Sequence, residues 1–104
     1  KLLKRRNFML TSKQRAYLRA LANKEPALFQ IGKGGITGQL AEEISVCLEK
    51  RELVKITVLE TAFTSARTAA NELCEMTGAE GVQCIGNKLV LYKESKDNKK
   101  IVLP

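Results

Sequence analysis

The tightest constraint on this chain is the way its apolar period changes along its length. Leu10, Tyr17, Leu18 and Leu21 share one helical face, and Thr11 with Gln14 fits a capping box, so a helix is predicted to about Asn23. Pro26 ends that pattern, and Leu28-Phe29-Gln30-Ile31 reads as a short strand. From an N-cap at Thr37 to about Lys50, Leu40, Ile44, Cys47 and Leu48 return to helical spacing. Val54, Ile56 and Val58 then alternate with Lys55 and Thr57, as a half-buried strand does. Ser65 is the expected N-cap of a third helix ending near Gly78. Its inner face, Ala66, Ala69, Ala70 and Leu73, is small enough to lie close against a sheet. Val82-Gln83-Cys84-Ile85 and Lys88-Leu89-Val90-Leu91-Tyr92 flank Gly86-Asn87, a two-residue hairpin signal.

The resulting order, α-β-α-β-α-β-β, predicts an α/β chain folded as an α+β two-layer body. It has a mixed four-stranded sheet with two crossover helices, and the first helix packs on it as an addition. With 104 residues, 44% of them apolar, the chain supports one domain with a real core. Met9-Leu10-Thr11-Ser12 reads as a start, which leaves residues 1–8 as a basic extension that need not be native and 9–104 as the domain. Residues 94–104 form a polar tail. Glu94 to Lys100 is expected to be mobile, and Ile101-Val102-Leu103 either docks on the body or stays disordered.

The residue types present exclude much chemistry. There is no histidine, which removes Ser-His and Cys-His dyads and His-ligated metal sites. Cys47, Cys74 and Cys84 are spaced without a C-x-x-C pair and in odd number. They read as reduced core residues in a cytoplasmic protein. Glu42 with Glu43, or Glu49 with Glu52, could be offered as acid–base pairs, but they read as decoration of the second helix. No nucleophile, base and oxyanion donor can be assembled. The chain is therefore expected not to be an enzyme, and to take no metal, cofactor or small-molecule substrate. No apolar run reaches the ~18 residues of a membrane span, and the opening Lys-Leu-Leu-Lys-Arg-Arg lacks the apolar stretch of a secretory signal.

Charge is distributed unevenly. Eighteen Lys and Arg against 11 Asp and Glu leave +7. Residues 1–35 carry nine basic side chains and one acid, Glu25, for +8, while residues 36–104 carry nine basic and ten acidic, for −1. Without residues 1–8 the total falls to +3, yet residues 9–35 keep five basic side chains against one acid. Lys13 and Lys24 fall on one flank of the first helix and Arg15 and Arg19 on the other, with almost no acidic partners. This suits a polyanion.

Gly32-Lys33-Gly34-Gly35 sits between a strand and a helix start. Glycine permits positive φ and close backbone approach, and a helix N-terminus favours phosphate. The spacing fits neither a P-loop nor a dinucleotide fingerprint. It fits G-x-x-G, a loop used to clamp a nucleic-acid backbone, and equally a tight ligand-free turn. The K-homology domain owns such a loop, but there it joins two helices, and the apolar residue that domain needs three places past the second glycine is here Gly38.

From Leu10 to Tyr92, about 80% of its length, the chain resembles a CRM domain of the single-domain bacterial YhbY type. Four ordered blocks carry the likeness. They are Leu10-Thr11-Ser12-Lys13-Gln14-Arg15, then Phe29-Gln30-Ile31-Gly32-Lys33-Gly34-Gly35-Ile36-Thr37, then Arg51-Glu52-Leu53-Val54-Lys55-Ile56, and Ile85-Gly86-Asn87-Lys88-Leu89-Val90-Leu91-Tyr92. The resemblance implies a fold similar to the C-terminal domain of bacterial translation initiation factor three. It also implies binding to ribosomal RNA during maturation of the large subunit; plant relatives with several such domains assist organelle intron splicing. The family's G-x-x-G maps onto Gly32 through Gly35. Its last hairpin often carries a basic residue after the glycine, where this chain has Asn87 and then Lys88.

The expected site is therefore Gly32, Lys33, Gly34, Gly35 and Thr37 at the loop and helix start, with Lys13, Arg15, Arg19, Lys24, Lys55 and Lys88 adding sequence-independent attraction. The aromatics are few. Phe29 is expected to face the core and Phe63 to be exposed, so base stacking is expected to be minor beside shape and phosphate recognition. The expected partner is RNA, bound away from membranes; the sequence leaves the oligomeric state open, with a monomer as the default. Two alternatives stay open, a module meeting an acidic protein with its basic face and a K-homology-like single-strand binder.

Overall fold

Thr11 fixes the first helix, α1 (Ser12–Ala22). Its Oγ1 accepts the Gln14 amide at 3.1 Å while the Gln14 side chain accepts the Thr11 amide at 3.1 Å. The structure, a computed structural model, describes residues 10–104; the expected start at Met9 and the extension over 1–8 lie outside the described residues. Strand β1 (Phe29–Ile31), α2 (Gly38–Arg51), β2 (Leu53–Val58), a 3-10 turn (Glu60–Ala62), α3 (Ala66–Thr77), β3 (Glu80–Ile85) and β4 (Lys88–Tyr92) follow. Thr37 and Ser65 cap α2 and α3, accepting the amides of Leu40 and Thr68 at 3.0 Å each. Gly78, at φ 81°, ends α3.

The sheet runs β1-β2-β4-β3, with β1 parallel to β2 and β4 antiparallel to both its neighbours. Strands β1, β2 and β3 thus share a direction, and their carboxyl ends form one rim. Both crossovers step the same way across the sheet, so right-handed connections put α2 and α3 on one face. Alternation along the strands turns Val54, Ile56, Val58, Leu89 and Leu91 into a core with Ile44 and Leu48 of α2 and Ala69, Ala70 and Leu73 of α3. Helix α1 is the expected addition. It closes the opposite face by packing Leu18 and Ala22, with Leu10, on Leu53, Val82, Val90 and Tyr92. Tyr17, expected in that stripe, is 41% exposed, because the buried line runs through Leu18 and Ala22, about 100° around the helix from it.

Neither sheet edge is a plain ladder. Strand β1 has three residues. In β3, Val82 is an extra residue between the Gly81–Leu91 and Gln83–Val90 pairs, and Arg15 Nε donates to the Gly81 carbonyl at 3.2 Å.

The tail departs from expectation. Helix α2 turns into β2 through one residue, Glu52, at φ 68°, whose amide donates to the Leu48 carbonyl at 2.7 Å. Glu52 is 0% exposed, and its carboxylate accepts the amides of Ser95 (2.7 Å), Lys100 (2.8 Å) and Ile101 (2.8 Å). Glu49 accepts the Ser95 hydroxyl at 2.7 Å and the amides of Lys96 and Asp97 at 3.2 and 3.0 Å. The segment expected to be mobile is thus wrapped around two carboxylates, and Ile101 and Leu103 dock against the α1 core. Glu42 and Glu43 are exposed decoration; Glu49 and Glu52 are not. Burial raises the Glu52 pKa, but the three amides prevail and hold it below the ordinary carboxylate value. Cys47, Cys74 and Cys84 are free, half-buried and packed against the core shared by α2 and α3.

Candidate nucleic-acid interface

The glycine loop sits at the carboxyl rim. Where Ile31 ends β1, the Gly35 amide donates to the Gly32 carbonyl at 2.9 Å and closes a turn. Gly35 has φ +70°, a conformation that strains any residue with a Cβ. Lys33 and Gly34 at the tip are exposed, and a Cβ on Gly34 would meet nothing within 4 Å. The chain then enters α2, whose first amides have no intrahelical acceptor. Thr37 Oγ1 already caps the Leu40 amide, so this side chain fixes the helix start. The loop joins a strand to a helix, as its sequence context predicted.

Two further loops complete the rim. The Leu59 amide donates to the Ile31 carbonyl at 2.9 Å, and a Cβ at Gly32 would lie 3.5 Å from Leu59 Cδ1 and 3.6 Å from Thr61 Oγ1. The segment after β2 therefore runs against the glycine loop. On the other side, the Val58 amide donates to the Asn87 carbonyl at 2.7 Å and ties the hairpin turn to β2.

The expected basic residues fall into two groups. Lys88 lies at the rim, its Nζ 3.5 Å from Thr57 Oγ1, on the sheet face that also carries α1. Lys55 shares that face two residues back from Thr57. Gln30, Thr57, Lys88 and Ile85 stand in register across the sheet, beyond the part that α1 covers. On α1 itself Arg15 and Arg19 are half-buried and Lys13 is exposed; Lys24 is exposed in the turn that follows. These four do not meet the glycine loop, but they lie on the same side of the sheet as Lys55 and Lys88.

The two sides differ in charge. Helix α1 carries three basic residues and no acid, α2 three acids against two basic residues, and α3 two acids against one. A polyanion is thus favoured on the α1 side and at the rim, and opposed on the other. One residue was missed from the sequence. Arg67, two places after the Ser65 cap, lines with Arg15 a groove of about 370 Å³ beside β3. Its only advance sign was its place in the first turn of α3. Among the described residues, no group of His, Cys, Asp or Glu could hold a metal ion, and no helix is long and apolar enough to cross a membrane.

The fold and site define a class: a small α+β domain with a glycine turn, a helix start and a lysine at one rim of a mixed sheet, and a cationic face beside them. The chain belongs to the CRS1 / YhbY (CRM) domain family, whose model matches residues 10–93. A Bacillus subtilis protein named "Probable RNA-binding protein YqeI" is 44% identical over 96 residues, covering 92% of this chain and 100% of the relative. A Haemophilus influenzae "RNA-binding protein" is 34% identical over 95 residues, 91% of this chain and 95% of the relative. The solution structure of a hypothetical protein from Staphylococcus aureus superposes with a TM-score of 0.74 at 45% identity, covering 92% of this chain and 100% of that one.

Proposed function

We propose that this protein is a non-catalytic RNA-binding domain that acts as a monomer in the cytoplasm on ribosomal RNA in precursors of the large subunit. The observation that carries the RNA reading is the glycine turn held open to solvent at the α2 N-terminus, on the rim shared with Lys88 and beside the cationic face. Phosphates rest on the exposed tip at Gly34 and the start of α2, with Lys33 as a mobile cation, while the Gly35 amide, committed to the Gly32 carbonyl, holds the turn in shape. Lys13, Arg15, Arg19, Lys24, Lys55 and Lys88 add attraction that fades with salt. The printed names of the B. subtilis and H. influenzae relatives support RNA as the ligand. The ribosomal assignment rests on the family resemblance.

Substitution at the loop tip tests the site. Gly34→Asp places a carboxylate in open space without straining the turn, so the protein folds and loses RNA affinity. Lys33→Ala lowers the slope of log affinity against log salt by about 0.7–0.9. A folded Gly34→Asp protein with unchanged affinity removes the loop from the site. Sedimentation of cell extract tests the ribosomal assignment. The protein is expected with precursor large subunits and is released by nuclease or moderate salt. If it stays at the top of the gradient under every condition, the assignment fails, and an acidic protein partner becomes the stronger reading.

A further inference from the structure

The rim carries one apolar residue that packing does not account for. Phe63 is 91% exposed, the largest exposure among the large apolar side chains of the described residues, and it has φ 53°. Positive φ is unusual for a bulky side chain, and a ring in water gains nothing from burial to offset it. The conformation is imposed by its surroundings. Leu59 is tied to β1, Glu60–Ala62 form one 3-10 turn, the Phe63 amide donates to the Glu60 carbonyl at 3.2 Å, and Ser65 starts α3. The ring is thereby held outward on a short, anchored segment.

Its position gives the ring a use. Thr61 abuts Gly32 together with Leu59, and two residues span at most about 7 Å of chain, so the Phe63 backbone lies within that reach of the contact with the glycine turn. Lys33 lies in the turn that Thr61 abuts, and the N-terminus of α3 begins three residues after Phe63; Glu60 is the acid nearest in sequence. A flat apolar surface next to a backbone clamp suits a nucleobase, because every base offers a stacking face. A paired base keeps its faces inside the helical stack and cannot use it.

We propose that Phe63 is a stacking platform for an unpaired base of the RNA whose phosphates lie on Gly32–Gly35, so that the site selects single-stranded RNA, or a loop, over a continuous duplex. This rests on the RNA-binding reading above and adds the class of RNA to it.

The chain has no tryptophan, so Phe63→Trp makes a single fluorophore at the site. Its emission is expected to be quenched on titration with a single-stranded oligoribonucleotide and unmoved by a fully paired duplex of the same sequence. Phe63→Ala is expected to lower affinity for the single strand by about 5- to 150-fold, the range for loss of one stacked base, and Phe63→Trp to restore it. Duplex binding stays at the wild-type level in both. Because the ring is exposed, both variants keep the wild-type thermal midpoint. Wild-type affinity of Phe63→Ala for the single strand, or a Trp emission indifferent to saturating single strand, overturns the proposal. If Gly34→Asp abolishes binding while Phe63→Ala does not, only the platform falls. If the wild-type protein binds neither RNA, the functional reading falls with it.

Discussion

Replacing Glu52 by glutamine changes one charge and almost no volume, and it isolates what the buried carboxylate does. One oxygen accepts two amides, from Lys100 and Ile101, and the other accepts the Ser95 amide. Glutamine can keep the first pair as neutral bonds, but its NH2 group then faces the Ser95 N–H, donor against donor. Hydrogen bonds to a charged group are worth about 1.5–3 kcal/mol each and neutral ones about 0.5–1.5. Losing one charged bond and the charge assistance of two others gives a cost of about 3.5–6 kcal/mol. Release of the tail limits that cost, because freed amides reach water. The assay is urea unfolding of both proteins across a pH series, with amide exchange read at residues 95, 100 and 101. Because the folded pKa of Glu52 is lowered, its stabilisation is complete above the unfolded value of about 4.3 and is lost as pH falls through the folded one. The difference between wild type and Glu52→Gln is therefore constant above about pH 5 and shrinks in acid. Glu49 is also held low, chiefly by the Asp97 amide, then by the Ser95 hydroxyl and the Lys96 amide; its contribution cancels where the tail stays docked and adds to the acid-sensitive difference where the tail is released. A Glu52→Gln protein within about 0.5 kcal/mol of wild type at neutral pH, with its tail amides still protected, would refute the account.

Two further outcomes are expected. Gly35→Ala forces a Cβ into φ +70° and costs about 1–2 kcal/mol, whereas Gly34→Ala, in open space and without positive φ, stays within about 0.5 kcal/mol of wild type; thermal melts of the pair check this. Burial, with smaller contributions from Glu80 and Cys84, pushes the Cys74 thiol up to about 11. Alkylation of Cys74 at pH 8 should then run on the order of 100-fold slower than that of an ordinary thiol and still accelerate up to pH 10, as mass spectrometry of quenched samples would show.

What could be read in advance was local. The Ser65 cap and the run Ala66, Ala69, Ala70, Leu73 are fixed by spacing within four residues, and all four side chains are buried as expected. The Thr11–Gln14 box and the Gly86-Asn87 hairpin belong to the same kind. Glu52 was misread because its partners lie 43, 48 and 49 residues away, and nothing local distinguishes a carboxylate under a tail from one in water. The glycine turn was visible in composition. That Leu59 and Thr61 press against it was not, because their position follows from the β1–β2 register and the Leu59–Ile31 bond. Phe63 was expected to be exposed, but its nearness to the loop came only with the fold. Arg67 becomes interesting only once β3 is known to be an edge strand, with Arg67 and Arg15 both lining the groove beside it.

The irregular sheet edges matter most where many copies gather. A protein attracted to a polyanion reaches local concentrations along it far above those in bulk, and crowded copies with open strands invite sheet-to-sheet zippering. Here a neighbour meets three residues of β1 on one side. On the other it meets a β3 kinked at Val82, with the Gly81 carbonyl already engaged by Arg15. Arg15, proposed above as one of six cations that attract RNA, thus also denies a second chain one of its docking points. Resistance to edge pairing and the attraction proposed above thus meet in one side chain.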